Sequence, residues 1–264
     1  MPALICLRGI VWREVLRFLH QRERFFGALV RPLIWLFVFA AGFRAALSPD
    51  VVPPYTTAVP YEVYIVPGLI GMIQLFNGMQ SSLSMVYDRE MGSMRMLLTS
   101  PLPRWWLLTC KLLAGVAVSL LQVYAFLGIA ALAGVPVPAW GALSVLPALG
   151  VSGLMLGALG MVLSSAIRQL ENFAGVMNFV VFPLFFLSPA LYPLATMKES
   201  SLALYWLCQA NPFTHAVELI RHALHGQLSV LAAAVTGTSA LLFLALAVWG
   251  YDPGRGLIRR RTGA

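Results

Sequence analysis

A short charged island, residues 88–101, stands between two long uncharged stretches of this sequence. The preceding residues 63–87 carry no Asp, Glu, Lys or Arg, and the residues after Lys111 carry none until Arg168. Within the island, carboxylate and guanidinium groups can form charge-assisted hydrogen bonds, and methionine and leucine side chains can serve as apolar anchors. Both kinds of side chain on one short helix predict a docking element.

The stretches on either side of this island are apolar enough to be membrane spans. The chain has 264 residues, of which 59% are hydrophobic and only 11% are charged, whereas soluble domains carry about 25% charged residues. A bilayer core requires about 20 apolar residues per helix. Six segments meet that length, near residues 27–47, 62–86, 105–133, 139–166, 172–192 and 228–249. The sequence therefore predicts an all-α membrane protein with six transmembrane helices within residues 27–250.

Basic residues predict which ends of these helices face the cytoplasm. With the N-terminus inside, only Arg44, Lys198 and Arg221 of the 18 Lys and Arg residues lie outside, in agreement with the positive-inside rule. The island at residues 88–101 then lies in the first cytoplasmic loop. Both termini are predicted to be cytoplasmic, and a helical outer segment is predicted between the fifth and sixth spans.

Both terminal segments are predicted to lie on the cytoplasmic membrane surface. In residues 1–26, apolar side chains recur at three- and four-residue steps with basic side chains opposite, which is typical of an interfacial helix. This helix is an anchor, and a further role as a brace beside a partner subunit stays open. The basic tail, residues 251–264, is interpreted as an anchor at anionic lipid rather than a nucleic-acid site.

Residues that the chain lacks disfavour several classes of function. It has no Gly-Lys pair, so it contains no P-loop for ATP hydrolysis. Glu62 and Glu171 lie at span ends, and no carboxylate or histidine lies in mid-span, which disfavours ion-coupled carriers and haem proteins. Cys6, Cys110 and Cys208 show no metal-ligand spacing and predict neither a disulfide nor a metal site.

Three histidines and a carboxylate share one helical face before the last predicted span. His215, Glu218, His222 and His225 follow each other at offsets of three, seven and ten residues, a pattern that could ligate a transition metal. The alternative is a helix at the outer interface, in which Glu218 pairs with Arg221 or His222. We expect the alternative, because no cysteine or second carboxylate joins the face.

The fourth predicted span is rich in glycine, with Gly150, Gly153, Gly157 and Gly160. Small residues at four-residue spacing allow two helix backbones to approach closely. We therefore expect these glycines to serve packing inside the bundle, and a contact between two copies of the chain stays open.

Three stretches resemble the ABC-2 type exporter permeases, the membrane subunits of ATP-driven exporters. In the island, the residues that match the family's first cytoplasmic loop are Arg89, Glu90, Gly92, Leu97, Leu98, Ser100 and Pro101. Ser93 replaces a commoner threonine there, and Met94-Arg95 stands where an acidic residue is often found. Residues 171–193 are similar to the family's fifth span, and residues 211–221 are similar to its outer helical segment.

This resemblance implies a half-transporter, with a single ABC-2 type domain over residues 1–264. Two permeases, identical or paired with a homologue, would sit in the bacterial inner membrane on two separate ATPase subunits. ATP and Mg²⁺ would bind to the ATPase, and this chain would hold no cofactor. The residues implied for coupling to the ATPase are Asp88, Arg89, Glu90, Gly92, Ser93, Met94, Arg95, Leu97, Leu98 and Pro101. The implied substrate is an amphiphile such as a drug, a lipid or a glycan.

Two other classes of function stay open at this point. An ion-coupled secondary carrier would work without an ATPase, and a non-transporting membrane anchor or assembly factor would move no substrate. Co-purification of a P-loop ATPase would indicate a permease rather than a carrier. ATP-dependent flux would indicate a permease rather than an anchor. Aromatic residues in the predicted spans are expected to pack or to face lipid, so they define no substrate site: Tyr64, Phe76, Tyr124, Phe179 and Phe185.

Overall fold

The computed structural model describes residues 2–20, 22–39, 42, 53–55, 57, 59–90, 103–138, 140–167 and 170–251. Within that part all regular structure is helical, as predicted. The helices are α1 Pro2–His20, α2 Arg22–Ile34, α3 Tyr61–Glu90, α4 Arg104–Leu132, α5 Gly141–Ser144, α6 Leu146–Ala166, α7 Leu170–Phe186, α8 Leu194–Ser200, α9 Leu202–Ala210, α10 Pro212–Leu224 and α11 Val230–Gly250. A π-helical segment, Trp35–Phe39, continues α2.

Three helices in this part of the chain are long and apolar enough to cross a membrane. They are Trp105–Leu132, Gly141–Ala166 and Val230–Gly250, which correspond to the third, fourth and sixth predicted spans. Two shorter apolar helices, Phe26–Val38 and Gly175–Phe186, fall in the first and fifth predicted spans. The second predicted span lies within the long helix α3.

The fifth predicted span is too long at its C-terminal end. The sequence predicts a span to Tyr192, but α7 ends at Phe186 and residues 187–193 form a non-helical turn. Pro189 and Pro193 lie in this turn, and proline lacks the N–H group that a continuing helix needs. The Ser188 hydroxyl donates to the carbonyl oxygen of Phe185 at 2.6 Å and so satisfies one carbonyl at the helix end.

Helices α3 and α6 form the centre of the bundle. α3 contacts α4, α6, α7 and α10, and α6 packs between α3 and α11. The side of α3 that faces these neighbours carries fully buried aromatic and aliphatic side chains, including Tyr64, Leu69 and Leu75. A helix covered on several sides in this way is held mainly by tertiary contacts rather than by its own propensity.

The glycines of α6 allow a close crossing with α3. A methyl group at Gly160 would lie 2.5 Å from the Ser82 hydroxyl and 2.8 Å from the carbonyl oxygen of Gly78. A methyl group at Gly78 would in turn meet the backbone of Leu156 at 2.9 Å. Packing inside the bundle is therefore confirmed for this pair, whereas a methyl group at Gly150 meets nothing within 4 Å.

Substituting Gly160 by alanine is expected to destabilise the protein by about 1–3 kcal/mol, because the added methyl group forces α3 and α6 apart. The measurement is the thermal midpoint of unfolding in detergent. Gly150→Ala on the same helix is the matched control and should not lower the midpoint, since its added methyl group meets nothing within 4 Å and alanine favours a helix more than glycine does. Equal midpoints for the two variants would contradict the crossing described here.

Candidate functional site

The predicted ATPase-coupling segment joins the end of α3 to the start of α4. Its first residues, Asp88, Arg89 and Glu90, belong to the last turn of α3, where only the backbone is described. The other predicted coupling residues lie outside the described part of the chain: Gly92, Ser93, Met94, Arg95, Leu97, Leu98 and Pro101. Their role in coupling stays a prediction.

Helix α1 packs beside the start of α4, at the same end of the bundle as the coupling segment. The Trp106 indole Nε1–H donates to the carbonyl oxygen of Ala3 at 3.2 Å. The predicted interfacial helix, residues 1–26, is thus divided between α1 and the start of α2, with residue 21 outside the described part. Phe18 is buried against the bundle, while Arg8 stays exposed.

A polar cluster lies in the middle of the bundle, between α3, α4 and α6. The Asn77 amide of α3 donates to the Gln122 side-chain oxygen of α4 at 2.8 Å. One turn away, the Gln74 amide donates to the carbonyl oxygen of Leu149 at 2.8 Å, and the Ser152 hydroxyl donates to Gln74 at 2.6 Å. These amides are buried, and hydrogen bonding offsets the cost of holding them in an apolar interior.

Two neighbouring cavities open beside the Asn77–Gln122 pair. The larger, which we call the polar cavity, has a volume of about 280 Å³ and lies between α2, α3, α4 and α7. The smaller has a volume of about 60 Å³ and lies between α1, α3 and α4. Asn77, Gln80 and Gln122 line both cavities, so the amide pair stands where the two meet.

Charged residues and histidines within the spans do not predict this polar cluster, because its members are uncharged amides and hydroxyls. The available signal was the recurrence of polar side chains along α3. Gln74, Asn77, Ser81 and Ser84 follow each other at three- and four-residue steps, which places them on one helical face. An uncharged span that carries such a polar stripe predicts a packed polar seam or the wall of a cavity.

Helix α10 carries the predicted outer segment and is buried against α3, α6 and α11. Asn211 caps its N-terminus by accepting from the Phe213 N–H at 2.9 Å, and Pro212 follows at the first position. The sequence predicts a helix here correctly. Most of its side chains, including Phe213 and Ile220, are buried against the bundle, and its place at the outer membrane interface stays a prediction.

The Arg221 side chain is fully buried at the centre of this packing. It forms an ion pair with Glu218, as predicted, and its Nη2 donates to the carbonyl oxygen of Pro189 at 2.6 Å. The guanidinium also lies 4.3 Å from the centre of the Tyr64 ring. Burial alone would lower the pKa of Arg221, but Glu218 and Tyr64 outweigh it and leave the pKa raised. The guanidinium therefore stays charged.

The Arg221 contacts form part of a clamp on the turn between α7 and α8. Two tyrosines of α3 reach the same turn: Tyr64 donates to the Pro189 carbonyl at 3.2 Å and Tyr61 to the Leu191 carbonyl at 3.0 Å. Gly68 of α3 approaches so closely that an added methyl group would lie 2.2 Å from the carbonyl oxygen of Ala190. Helices α3, α7 and α10 are thus fixed to one another at this end of the bundle.

The histidines of the proposed metal face point to backbone carbonyls. Nε2 of His215 lies 3.0 Å from the Gln209 oxygen, and Nδ1 of His222 lies 2.9 Å from the Glu218 oxygen. Nδ1 of His225 lies 3.0 Å from the Arg221 oxygen. Within the described residues no cluster of three or more His, Cys, Asp or Glu side chains is arranged to hold a metal ion.

The sequence is similar to those of known transport proteins over most of the bundle. The family model for the ABC-2 type transporter matches residues 6–225. A putative transport permease, ycf38, of Pyropia yezoensis is 27% identical over 223 residues, which cover 82% of this chain and 72% of that protein. A probable multidrug ABC transporter permease, YbhR, of Escherichia coli (strain K12) is 30% identical over 170 residues, which cover 63% of this chain and 45% of YbhR.

The match to YbhR thus spans less than half of that relative's length. The family model, by contrast, includes most of α1, the charged island, the polar cluster and the whole of α10. On the strength of that coverage, the chain belongs to the ABC-2 type transporter family.

Proposed function

We propose that this chain is the transmembrane permease subunit of an ATP-driven exporter that moves an amphiphilic substrate out of the cytoplasm. The observation that carries the proposal is the family match over residues 6–225. Two relatives, ycf38 and YbhR, bear the names of a transport permease and a multidrug ABC transporter permease. Because the sequence has no P-loop, ATP hydrolysis takes place on a separate ATPase subunit.

The permease has six spans, both termini in the cytoplasm, and a place in the bacterial inner membrane. The distribution of basic residues supports this orientation. The three helices long enough to cross the bilayer support the third, fourth and sixth spans. The chain works as a pair, either with a second copy or with a homologue, because one bundle supplies one docking segment and the ATPases act as two subunits.

Helix α3 is the element that transmits the motion of the ATPase. It runs without interruption from Tyr61 to Glu90, a length of about 45 Å at 1.5 Å per residue. One end enters the docking segment, the middle carries Asn77, and the other end holds the turn around Pro189 through Tyr64. A displacement at Glu90 therefore reaches the polar cavity along the helix, and it reaches the clamp across Pro67, which removes one hydrogen bond within α3.

Co-expression with the ATPase of a neighbouring reading frame tests this function. A soluble P-loop ATPase is expected to purify with the chain, and proteoliposomes that contain both should move a fluorescent amphiphile only when ATP is supplied. Flux without ATP and without a bound ATPase would point to the ion-coupled carrier instead. A stable ATPase complex that moves no substrate would point to the membrane anchor.

A further inference from the structure

We propose that the polar cavity binds the headgroup of an anionic amphiphile, with Arg31 as the charged partner of that headgroup. The proposal rests on the function proposed above, and it names the chemical class of the substrate and the place where the substrate is held. It is carried by the charge, the hydrogen-bonding groups and the apolar surroundings of this cavity, each of which points to a different part of such a ligand.

Arg31 supplies the positive charge. Its guanidinium lies 3.8 Å from the centre of the Phe76 ring, and its side chain lines the cavity. No carboxylate pairs with it among the described residues. Arg31 is an exposed residue near the cytoplasmic end of the first predicted span, and its cation–π contact supplies only part of what an anion would.

The surrounding charge has the same sign. Arg17 and Lys111 line the smaller cavity, and Glu14 is the carboxylate among the residues that line either one. Glu14 lies 3.0 Å from Arg13 and 3.5 Å from Arg17, so it is already engaged. The net positive charge along the path from α1 to Arg31 attracts anionic headgroups and disfavours cationic ones.

The amides supply uncharged hydrogen-bonding groups for the rest of the headgroup. Asn77 donates one amide N–H to the Gln122 oxygen, which leaves the second N–H and the oxygen of Asn77, and both N–H groups of Gln122, for a ligand. Gln80 and Asn178 line the same cavity, and both side chains are exposed. These groups suit phosphate and hydroxyl oxygens better than they suit an alkyl chain.

The size and the rim of the cavity explain why the ligand is an amphiphile. A volume of about 280 Å³ holds a headgroup but not the acyl chain of a lipid. Exposed apolar side chains lie directly beside the lining residues: Phe26 and Val30 on α2, and Phe179 on α7. The headgroup therefore enters the cavity while the chain remains along α2 and α7, among the membrane lipids.

The test uses the purified full chain in phosphatidylcholine nanodiscs, without an ATPase. A photoactivatable monoacyl phosphate and its phosphocholine analogue, which has no net charge, are titrated separately, and the half-saturating mole fraction of cross-linking is measured. We expect the phosphate probe to bind more tightly, and its adducts to map to α2 and to the middle of α3. Arg31→Gln should raise the half-saturating fraction of the phosphate probe about tenfold or more, since the variant loses a charge-assisted hydrogen bond to the phosphate.

Matched variants separate the site from general surface charge. Arg31→Lys should recover part of the binding, and Arg8→Gln, which removes an exposed arginine of α1, should leave it unchanged. The phosphocholine probe should respond to none of these changes. Thermal midpoints confirm that each variant is folded.

The proposal is overturned if Arg31→Gln leaves phosphate binding unchanged, or if the adducts map away from the cavity. Competition by millimolar inorganic phosphate would assign the site to a free anion and would also overturn it. Because no ATPase is present, failure here leaves the exporter function intact. Loss of ATP-dependent flux with headgroup binding preserved would instead refute the exporter function alone.

Discussion

Arg221→Met is expected to destabilise the protein by about 3–5 kcal/mol, the usual cost of removing one partner from a buried ion pair. Glu218, only 22% exposed, would lose its guanidinium partner, and the Pro189 carbonyl would lose a donor. The contacts that hold α3, α7 and α10 together would weaken at one point. The measurement is the thermal midpoint of the purified protein, read together with its cell-surface or membrane yield.

Two further variants show whether the geometry or the charge matters. Arg221→Lys keeps the charge, but its compact ammonium group cannot donate to Glu218 and to the Pro189 carbonyl with the geometry of a planar guanidinium. Its midpoint should therefore lie between those of the Arg221→Met variant and the wild type. Lys198→Met removes an exposed cation of α8, whose ammonium has only a 5.9 Å contact with the Tyr205 ring, and should change the midpoint little. A methionine variant as stable as wild type would show that Arg221 is not what fixes this end of the bundle.

The combined change Arg89→Ala and Glu90→Ala is expected to lower ATP-dependent transport about tenfold or more. Charge-assisted hydrogen bonds contribute about 1.5–3 kcal/mol each, and both residues lie where α3 enters the predicted docking segment. Membrane insertion should be unchanged, because the apolar spans are untouched. The measurements are flux in proteoliposomes and substrate-stimulated ATP hydrolysis by the complex.

A matched control for this change lies on the predicted outer side of the membrane. Lys198 and Glu199 on α8 form the same cation–anion sequence at exposed positions, so Lys198→Ala with Glu199→Ala removes equal charge from the predicted outer side. The control should transport at the wild-type rate. Wild-type transport and ATP hydrolysis in the Arg89 and Glu90 variant would show that these two residues do not couple the chain to the ATPase.

Sequence alone predicts the parts of the fold that depend on one helix at a time. The spans at Trp105–Leu132 and Val230–Gly250 are long apolar runs, and such a run is recognised without its neighbours. The Glu218–Arg221 pair is equally local, since three-residue spacing on a helix brings the two side chains together. The family resemblance, which rests on contiguous motifs, is confirmed for the same reason.

Features that depend on two or more helices escape sequence analysis. The Asn77–Gln122 pair joins residues 45 positions apart, and a polar stripe on α3 does not say which helix covers it. The burial of Arg221 depends on a carbonyl 32 positions away, so α10 has the amphipathic pattern of a surface helix while being enclosed. Helix α7 ends at Phe186 rather than at the predicted Tyr192. The apolar run continues past this point, but the prolines that follow lack the N–H group that a longer helix needs.

The central claim, that a separate ATPase drives this chain through residues 88–101, is tested most directly by photo-crosslinking. A photoreactive amino acid is placed at Met94 in the island, and at the exposed Trp206 on α9 as the control. Illumination of intact membranes should join a P-loop ATPase to position 94, with a yield that changes when ATP is added, and to nothing at position 206. The account is contradicted if position 94 captures no ATPase while the protein is present and inserted, or if both positions capture it equally.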